Sequence, residues 1–496
     1  MSYVEEQSKR LLENYKFTPA TLAQKLDPSW IPADWLMYTS LKVAAAIKQG
    51  NGRLIISAPP RHGKSRLITI FTSIWIQEIF KTVNIILTSY GGELSVDFGR
   101  EVRNIIQGNQ DLLDVRISQD RSRANAWKNQ WNGGMVSVGL GGAITGRGAD
   151  VLLIDDYIKE IKEALSTTTR EYIWNWFTTT AFTRLEPGGT CIIIATRWHH
   201  DDLIGRILKH NPGGAWDYIH IPAEAMENDL LGRAIGEPLF PERYPIEVLR
   251  ERKAVLGSFF YNALYQQIPE NPEAAITDAD WLDIIDFVPD VDKLPKARVW
   301  DLAATEDAGD FTTGGLYTYS KPIDTLNIHN MIRTQKSPGG VEDLVRRTAI
   351  ADGTNTKIYI EQEPGSSGKA LIHHFQTTVL PEYHVEAVPA TDGKLFRAQP
   401  MLAASEAGKV KLVKGNWNSK FIDEFGDFPG GAHDDQIDNA AIAYTKMSGK
   451  TAYRASWGRD TERRKINSPS LSSSSRSTRR KNRVLLPNVS GATWRV

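Results

Sequence analysis

Cysteine is almost missing from this chain: Cys191 is the only one in 496 residues, so no disulfide can form within it. A disulfide-stapled secreted scaffold is excluded, and a reducing compartment fits. No apolar run approaches the roughly 20 residues of a membrane-crossing helix. The first residues, with Glu5, Glu6 and Lys9, lack the apolar core of a secretory signal, so no membrane partner is expected. No internal repeat is visible. Net charge is absent as well, with 59 Lys and Arg against 59 Asp and Glu. That balance hides an asymmetry. From Thr451 onward there are eleven Lys or Arg and two acids, a net of +9, which leaves −9 on the remainder. A basic, serine-rich end reads as disordered by composition and suits an anionic partner, a protein dock, or plain solubilisation.

What is present is ordinary globular material, 41% hydrophobic and 24% charged. A chain of 496 residues exceeds what one core organises, so at least two domains are expected. The most informative stretch is residues 58–65, Ala-Pro-Pro-Arg-His-Gly-Lys-Ser, between an apolar run at 53–57 and a helical pattern at 67–80. Strand, loop, Gly-Lys-Ser and helix are the parts of a phosphate-binding loop, although Ala58 replaces its usual first glycine. Backbone N–H groups at the helix start face phosphate. Pro60, Arg61, His62, Gly63, Lys64 and Ser65 form the expected nucleotide cradle, with Lys64 on the β- and γ-phosphates and Ser65 on Mg²⁺. The aromatics ahead of it, Trp30, Trp35 and Tyr38, suit helix packing better than base stacking. Residues 83–90 read as a second buried strand, and the rhythm predicts an α/β domain with a parallel sheet.

Residues 149–156, Ala-Asp-Val-Leu-Leu-Ile-Asp-Asp, are a buried strand ending in two acids. Asp155 is placed to hold the Mg²⁺ shell, and Asp156 to orient or activate the attacking water. Asp156 is shorter than the Glu that many such ATPases carry. Arg147, in the glycine-rich 139–148 stretch, and Arg61 are rival arginine fingers; either can equally be a DNA-phosphate contact or a surface arginine. A further strand at 189–199 ends in Thr196, a candidate γ-phosphate sensor, and Arg197. His199 and His200 beside Asp201 and Asp202 read as a helix cap rather than a metal site.

These segments together resemble the large subunit of phage terminase, the DNA-packaging motor of tailed bacteriophages. The residues that carry the likeness are Pro-Pro-Arg-His-Gly-Lys-Ser at 59–65, Gly-Arg-Gly at 146–148 with Leu-Ile-Asp-Asp at 153–156, Ala-Thr-Arg-Trp at 195–198, Glu-Pro-Leu-Phe-Pro-Glu-Arg at 237–243 and Phe-Tyr-Asn-Ala-Leu-Tyr-Gln-Gln-Ile-Pro at 260–269. The resemblance implies a RecA-like, additional-strand ATPase domain over 1–235, a linker over 236–290, an RNase H-like nuclease over 291–450 and a tail over 451–496. It also implies ATP with Mg²⁺, double-stranded DNA as substrate, a portal protein and a small terminase subunit as partners, a homo-oligomeric ring, and work in the host cytoplasm.

The second half offers its own signal. Strands ending in Asp301 and Glu361, with a second strand at 310–319 between them in sequence, precede a helical stretch at 431–444. That stretch carries Asp434, Asp435 and Asp438; Asp434 and Asp438 share a helix face at four apart, Asp435 and Asp438 at three. Crowded carboxylates need a counter-ion, and two Mg²⁺ or Mn²⁺ about 4 Å apart supply it while driving phosphodiester hydrolysis. Asp301, Glu361, Asp434, Asp435 and Asp438 are therefore the expected ligands, the choice between Asp434 and Asp435 staying open. Glu363 and Asp310 are expected to support them, and 366–369 to form a loop near substrate phosphates. No basic residue lies within these local motifs, so the cluster is expected to be nearly silent without metal. Two other readings fit the motifs: a helicase or repair ATPase with a nuclease domain, and an assembly scaffold switched by nucleotide.

Overall fold

Two sheets organise the chain in a computed structural model that describes residues 14–452, apart from 31, 212–213, 273, 275, 304–310 and 391–392. Asp310 and the basic tail from 453 fall outside the described residues. The first sheet uses β1 (Arg53–Ser57), β2 (Asn84–Ser89), β3 (Ile117–Arg123), β4 (Ala126–Asn129), β5 (Gly134–Gly139), β6 (Ala149–Asp155), β7 (Leu185–Ala195) and β8 (Asp217–His220). Their order is β3-β4-β5-β2-β6-β7-β1-β8. The six strands from β5 to β8 run parallel, and β3 and β4 add an antiparallel edge. β1, β6 and the end of β7 are almost wholly buried, as strands covered on both faces must be. Their Ile- and Leu-rich composition follows from that.

The expected β-helix-β crossover from β1 to β2 is present, but β7 and β6 lie between those strands. Its helix opens with a wider π turn over Arg66–Phe71 and continues as Thr72–Phe80. In front of it, Pro19–Leu26 and Asp34–Gln49 are helical. Trp35 is fully buried and Trp30 meets Phe71 edge-on at 6.0 Å, so these aromatics pack.

The second sheet has order β14-β13-β10-β11-β12-β15-β9, from β9 (Asp283–Ile285), β10 (Lys296–Asp301), β11 (Thr312–Ser320), β12 (Thr325–Thr334), β13 (Lys357–Gln362), β14 (Val385–Pro389) and β15 (Val410–Val413). β10, β11 and β12 are antiparallel neighbours, and β13 and β14 continue parallel on the far side of β10. This is the RNase H-like order that the resemblance implies. The mixed α/β class holds in both halves.

One hydrophobic cluster joins the halves, from Ile193 and Trp198 through Leu256 and Phe260 to Leu402 and Tyr444. At its centre the helix Ile246–Leu264 is broken at Gly257, whose φ of 74° is open to glycine and strained for other residues. The helix Lys394–Glu406 secures both broken ends. Gln399 Nε2 donates to the Val255 carbonyl at 2.9 Å and the Leu256 carbonyl at 3.3 Å. Glu406 accepts from Ser258 N at 2.7 Å and from its hydroxyl. The exposed carbonyls and N–H groups of a broken helix are thereby satisfied by side chains. Among the described residues no helix is long and apolar enough to cross a membrane.

Candidate active sites

The first site forms where β1, β6 and β7 end side by side. The register sets Ser57 beside Ala195 and Asp155 beside Ile194, so the residues just beyond meet. The phosphate loop turns through positive φ at Arg61 (64°) and Gly63 (96°) before the helix begins. Lys64 Nζ then donates to Thr196 Oγ1 at 2.6 Å and lies 3.2 Å from Asp156 Oδ2. Ser65 Oγ donates to Asp155 Oδ1 at 3.1 Å, and the Thr69 hydroxyl donates to Asp155 Oδ2. Asp156 Oδ1 accepts from Thr196 N at 2.9 Å, and Asp156 holds a φ of 42°. Such a conformation costs free energy in a residue with a side chain, and the surrounding bonds must enforce it. Two of them are Asp156 N to the Ile194 carbonyl at 2.9 Å and Tyr90 N to the Asp156 carbonyl at 2.8 Å.

Lys64, Ser65, Asp155, Asp156 and Thr196 are thus brought into one buried constellation. Burial, then the charge of Asp156, pushes the Asp155 carboxyl up to about 7, against the pull of Thr69, Lys64 and Ser65. A hydroxyl and a carboxylate sharing 3.1 Å are hard oxygen donors of the kind Mg²⁺ selects. His62 differs from its neighbours in being wholly buried. Its Nδ1 lies 2.8 Å from the Pro60 carbonyl, and its ring stacks on Tyr244 at 4.3 Å. Desolvation, helped by Lys64, Arg243 and Arg233, lowers its pKa to about 3, so the ring is neutral and shapes the loop. Tyr244 was not legible as part of this site, because it arrives from 180 residues downstream in sequence.

Arg61 and Arg147 are both exposed. Arg147 sits in a turn closed by its own N–H to the Ile144 carbonyl at 3.2 Å. Among the described residues no hydrogen bond or ion pair ties its side chain to the phosphate loop. Asp202 caps the helix Leu203–Lys209 through Gly205 N at 2.8 Å and holds Arg197 Nε at 2.7 Å. Asp201 pairs with Arg206. The cap reading of that cluster holds.

The second site lies at the ends of β10 and β13. Trp300 pairs with Ile360, so Asp301 and Glu361, one step on, are neighbours on adjacent parallel strands and face the same side. The helix Asp435–Ser448 crosses that side. Asn439 fixes it: its Nδ2 donates to the carbonyls of Val299 at 3.0 Å and Thr313 at 3.3 Å, and its Oδ1 accepts from Tyr317 OH at 2.7 Å. One side chain thereby sets the distance from helix to β10 and β11. Asn439→Ala leaves several buried partners unsatisfied, at about 1–3 kcal/mol each. It is expected to lower the thermal midpoint of this half by roughly 5–10 °C. A shift within a degree or two, read by calorimetry, would contradict that role.

Around this anchor the acids fall into two levels. Asp435 and Asp438 are buried, and with Glu361 they lie near enough for their charges to act on Asp301. Burial first, then those three charges, drives the Asp301 carboxyl up to about 8. Burial likewise raises Asp438 to about 7, against Arg397 and Lys394. Asp435 Oδ2 accepts from Phe311 N at 3.4 Å, with His433 Nδ1 4.0 Å away. Asp434 stays at the rim, its Oδ1 2.6 Å from Lys394 Nζ.

The local motifs hold no basic residue, yet two cations reach the cluster from elsewhere in the chain. Arg397 Nη1 reaches Glu361 Oε1 at 2.6 Å, and its Nη2 lies 3.4 Å from Asp438 Oδ2. Both cations come from the helix Lys394–Glu406, more than thirty residues from either acid motif, so local motifs could not reveal them. With these cations between the acids, no three His, Cys, Asp or Glu side chains among the described residues stand together as a ready ligand set. Among the described residues, Glu361 Oε2 and Asp438 Oδ1 are nevertheless buried without hydrogen-bond partners. Orphaned buried carboxylate oxygens beside raised carboxyl pKa values fit a cation-binding centre. Residues 366–369, expected as a loop, instead begin the helix Ser366–His374, and Glu363 is exposed with its carbonyl against Gly368.

Comparison with known families places two matches on this chain. The family described as terminase large subunit, T4likevirus-type, N-terminal, matches residues 55–261, and the terminase RNaseH-like domain matches residues 298–446. No curated protein matches. Among solved structures, a large terminase of a thermophilic bacteriophage is 11% identical with a TM-score of 0.47, over 84% of this chain and 99% of that one. The HK97 bacteriophage large terminase is 12% identical with a TM-score of 0.35, over 85% and 95%. The large terminase nuclease domain of bacteriophage SPP1, with bound Mn, is 12% identical with a TM-score of 0.26, over 34% and 99%. The two family matches, one on each sheet, together span most of the sequence: the chain belongs to the terminase large subunits, with an ATPase domain followed by an RNase H-like nuclease domain.

Proposed function

We propose that this chain hydrolyses ATP at the first site to drive double-stranded viral DNA into a procapsid, and cuts concatemeric DNA at the second with divalent metal. The observation that supports this most is the pairing, in one chain, of a Lys64–Thr196–Asp156 centre at the phosphate loop with a separate buried carboxylate cluster around Asp301. In the first site Lys64 binds the β- and γ-phosphates, and Ser65 and Asp155 hold Mg²⁺. Asp156 orients the attacking water, and Thr196, bonded to both Lys64 and Asp156, reports the γ-phosphate to the rest of β7. In the second, Asp301, Glu361, Asp435 and Asp438 hold two Mg²⁺ or Mn²⁺, and Asp434 serves at the rim. Bound metal would supply an activated water and screen the phosphate charge. The linker over 236–290 joins the two activities, and its Tyr244 touches the phosphate loop through His62.

The partners of this reading are DNA, a portal protein, a small terminase subunit and further copies of the chain in a ring, in the host cytoplasm. The test is packaging: purified portal-bearing procapsids, the chain and ATP should yield nuclease-protected DNA. ATP turnover without protected DNA, or strand separation in its place, would favour the helicase-type alternative.

Arg147 is the arginine we assign to act on a neighbour's ATP in that ring. Its loop is glycine-rich and its side chain exposed. Arg147→Ala is expected to lose about 10³-fold or more in turnover, as arginine fingers do, while nucleotide binding is kept. Mixing it with Lys64→Ala subunits should restore part of the activity at interfaces where each supplies what the other lacks. No rescue in mixtures that still form rings would point to Arg61 acting within its own subunit.

A further inference from the structure

The carboxylates of the second site already possess counter-ions. Lys394 and Arg397 stand three residues apart at the start of one helix, on one face. Arg397 spans Glu361 and Asp438, at 2.6 and 3.4 Å. Lys394 spans Asp434 and Asp438, at 2.6 and 3.6 Å. Asp438 is the shared acid, touched by both cations and itself almost fully buried. Coordination room remains nonetheless, because Glu361 Oε2 and Asp438 Oδ1 keep no hydrogen-bond partner among the described residues. A dication bound to those oxygens would stand within a few ångströms of both cations and be repelled by them. The cations have somewhere to go: the Lys394 side chain is 50% exposed and that of Arg397 19%.

We propose that Arg397 and Lys394 are resident counter-ions that compete with divalent metal for the nuclease carboxylates, so that they set the metal affinity of the site. The inference rests on the metal-dependent nuclease reading above. In the resting chain the two cations hold Glu361 and Asp438 in place of metal, with Asp434 tying Lys394 at the rim. When metal enters, they swing outward, where the phosphates of a DNA backbone offer them new partners. DNA and metal then favour each other's binding, since each stabilises the arrangement the other needs, and the coupling is reciprocal. Arg397 and Lys394 are positioning residues in this scheme.

The experiment is a Mn²⁺ titration of the full chain without nucleotide, with free Mn²⁺ followed by electron paramagnetic resonance. The component of interest is the one that Asp301→Asn abolishes, which separates it from any ion at the ATP site. Arg397→Gln and Lys394→Gln are each expected to tighten that component about tenfold, the low end of what neighbours of metal ligands contribute. Arg397→Lys keeps the charge and should stay near wild type. Adding duplex DNA should tighten Mn²⁺ binding in wild type and much less in Arg397→Gln. Affinity that is unchanged or weaker in both Gln variants would overturn the proposal, making the pair struts or phosphate contacts only. Melting curves check folding, and the half-exposed Lys394 carries the test if Arg397→Gln does not fold. A wild-type chain with no Mn²⁺ component sensitive to Asp301→Asn would overturn the metal-site reading itself, an outcome distinct from the first.

Discussion

Asp156→Asn is expected to lower ATP turnover by about three orders of magnitude, within the range for removal of a group that orients or activates the attacking water. The amide keeps the shape, and one carbonyl oxygen can still accept from Thr196 N, now bonded at 2.9 Å. The loss is therefore assigned to the missing negative charge, which acts on the water and on Lys64 Nζ 3.2 Å away. Lys64→Ala should abolish turnover outright. It removes the cation held between Thr196 Oγ1 and Asp156 Oδ2 at 2.6 and 3.2 Å, and leaves Asp156 buried with Asp155 beside it. The two variants differ in a way that can be measured. Asp156→Asn should still bind a fluorescent ATP analogue, whereas Lys64→Ala should bind it poorly. Phosphate release near the wild-type rate from either variant would reject the assignment.

The second large effect is at Asp301. Asp301→Asn should eliminate plasmid cleavage in Mg²⁺ or Mn²⁺ and leave ATP hydrolysis intact, because the central acid of the cluster is lost while the first sheet is untouched. Ca²⁺, with longer bonds and looser geometry, should bind without supporting efficient cutting in the wild-type chain. Unfolding is not a competing explanation, because the substitution removes a charge that burial disfavours. The folded carboxyl is raised to about 8 from an ordinary carboxylate value, so the folded state holds the proton more tightly than the unfolded one. Without metal, the stability present in acid is lost progressively as pH rises from the ordinary carboxylate range through about 8. An amide does not ionise. Asp301→Asn should therefore melt at the same temperature as wild type or higher at pH 9 in chelator, and the gap should narrow toward pH 4. A variant that melts lower at pH 9 would contradict the crowded-carboxylate account.

How much of this was legible in the sequence depends on how local each signal is. The phosphate loop, the Asp155–Asp156 strand end and the Thr196 strand end are contiguous motifs set by one strand each, and they converge because a parallel sheet brings strand ends to one edge. Asp301 and Glu361 were legible for the same reason. What stayed hidden came from long-range packing. Tyr244 stacks on His62, Arg397 and Lys394 enter the acid cluster from a helix with no motif of its own, and Asn439 reads as one more polar residue until its bonds to Val299, Thr313 and Tyr317 appear. The choice between Asp434 and Asp435 was also undecidable from spacing, since both lie near the first turn of one helix. Burial separates them, with Asp435 inside and Asp434 at the rim. The stretch at 366–369 was misread because Ser, Ser and Gly suit a loop, yet they also suit a helix start when the preceding Gly365 takes a φ of 110°.

Two separately addressable active sites share this chain in the proposed function. The most direct measurement is a phosphate-release assay beside a plasmid-cleavage gel on the same preparations of wild type, Lys64→Ala and Asp301→Asn. A crossed result is expected: Lys64→Ala cuts without hydrolysing ATP, and Asp301→Asn hydrolyses ATP without cutting. Metal-independent cutting, or an Asp301→Asn chain that nicks plasmid at the wild-type rate, would contradict it.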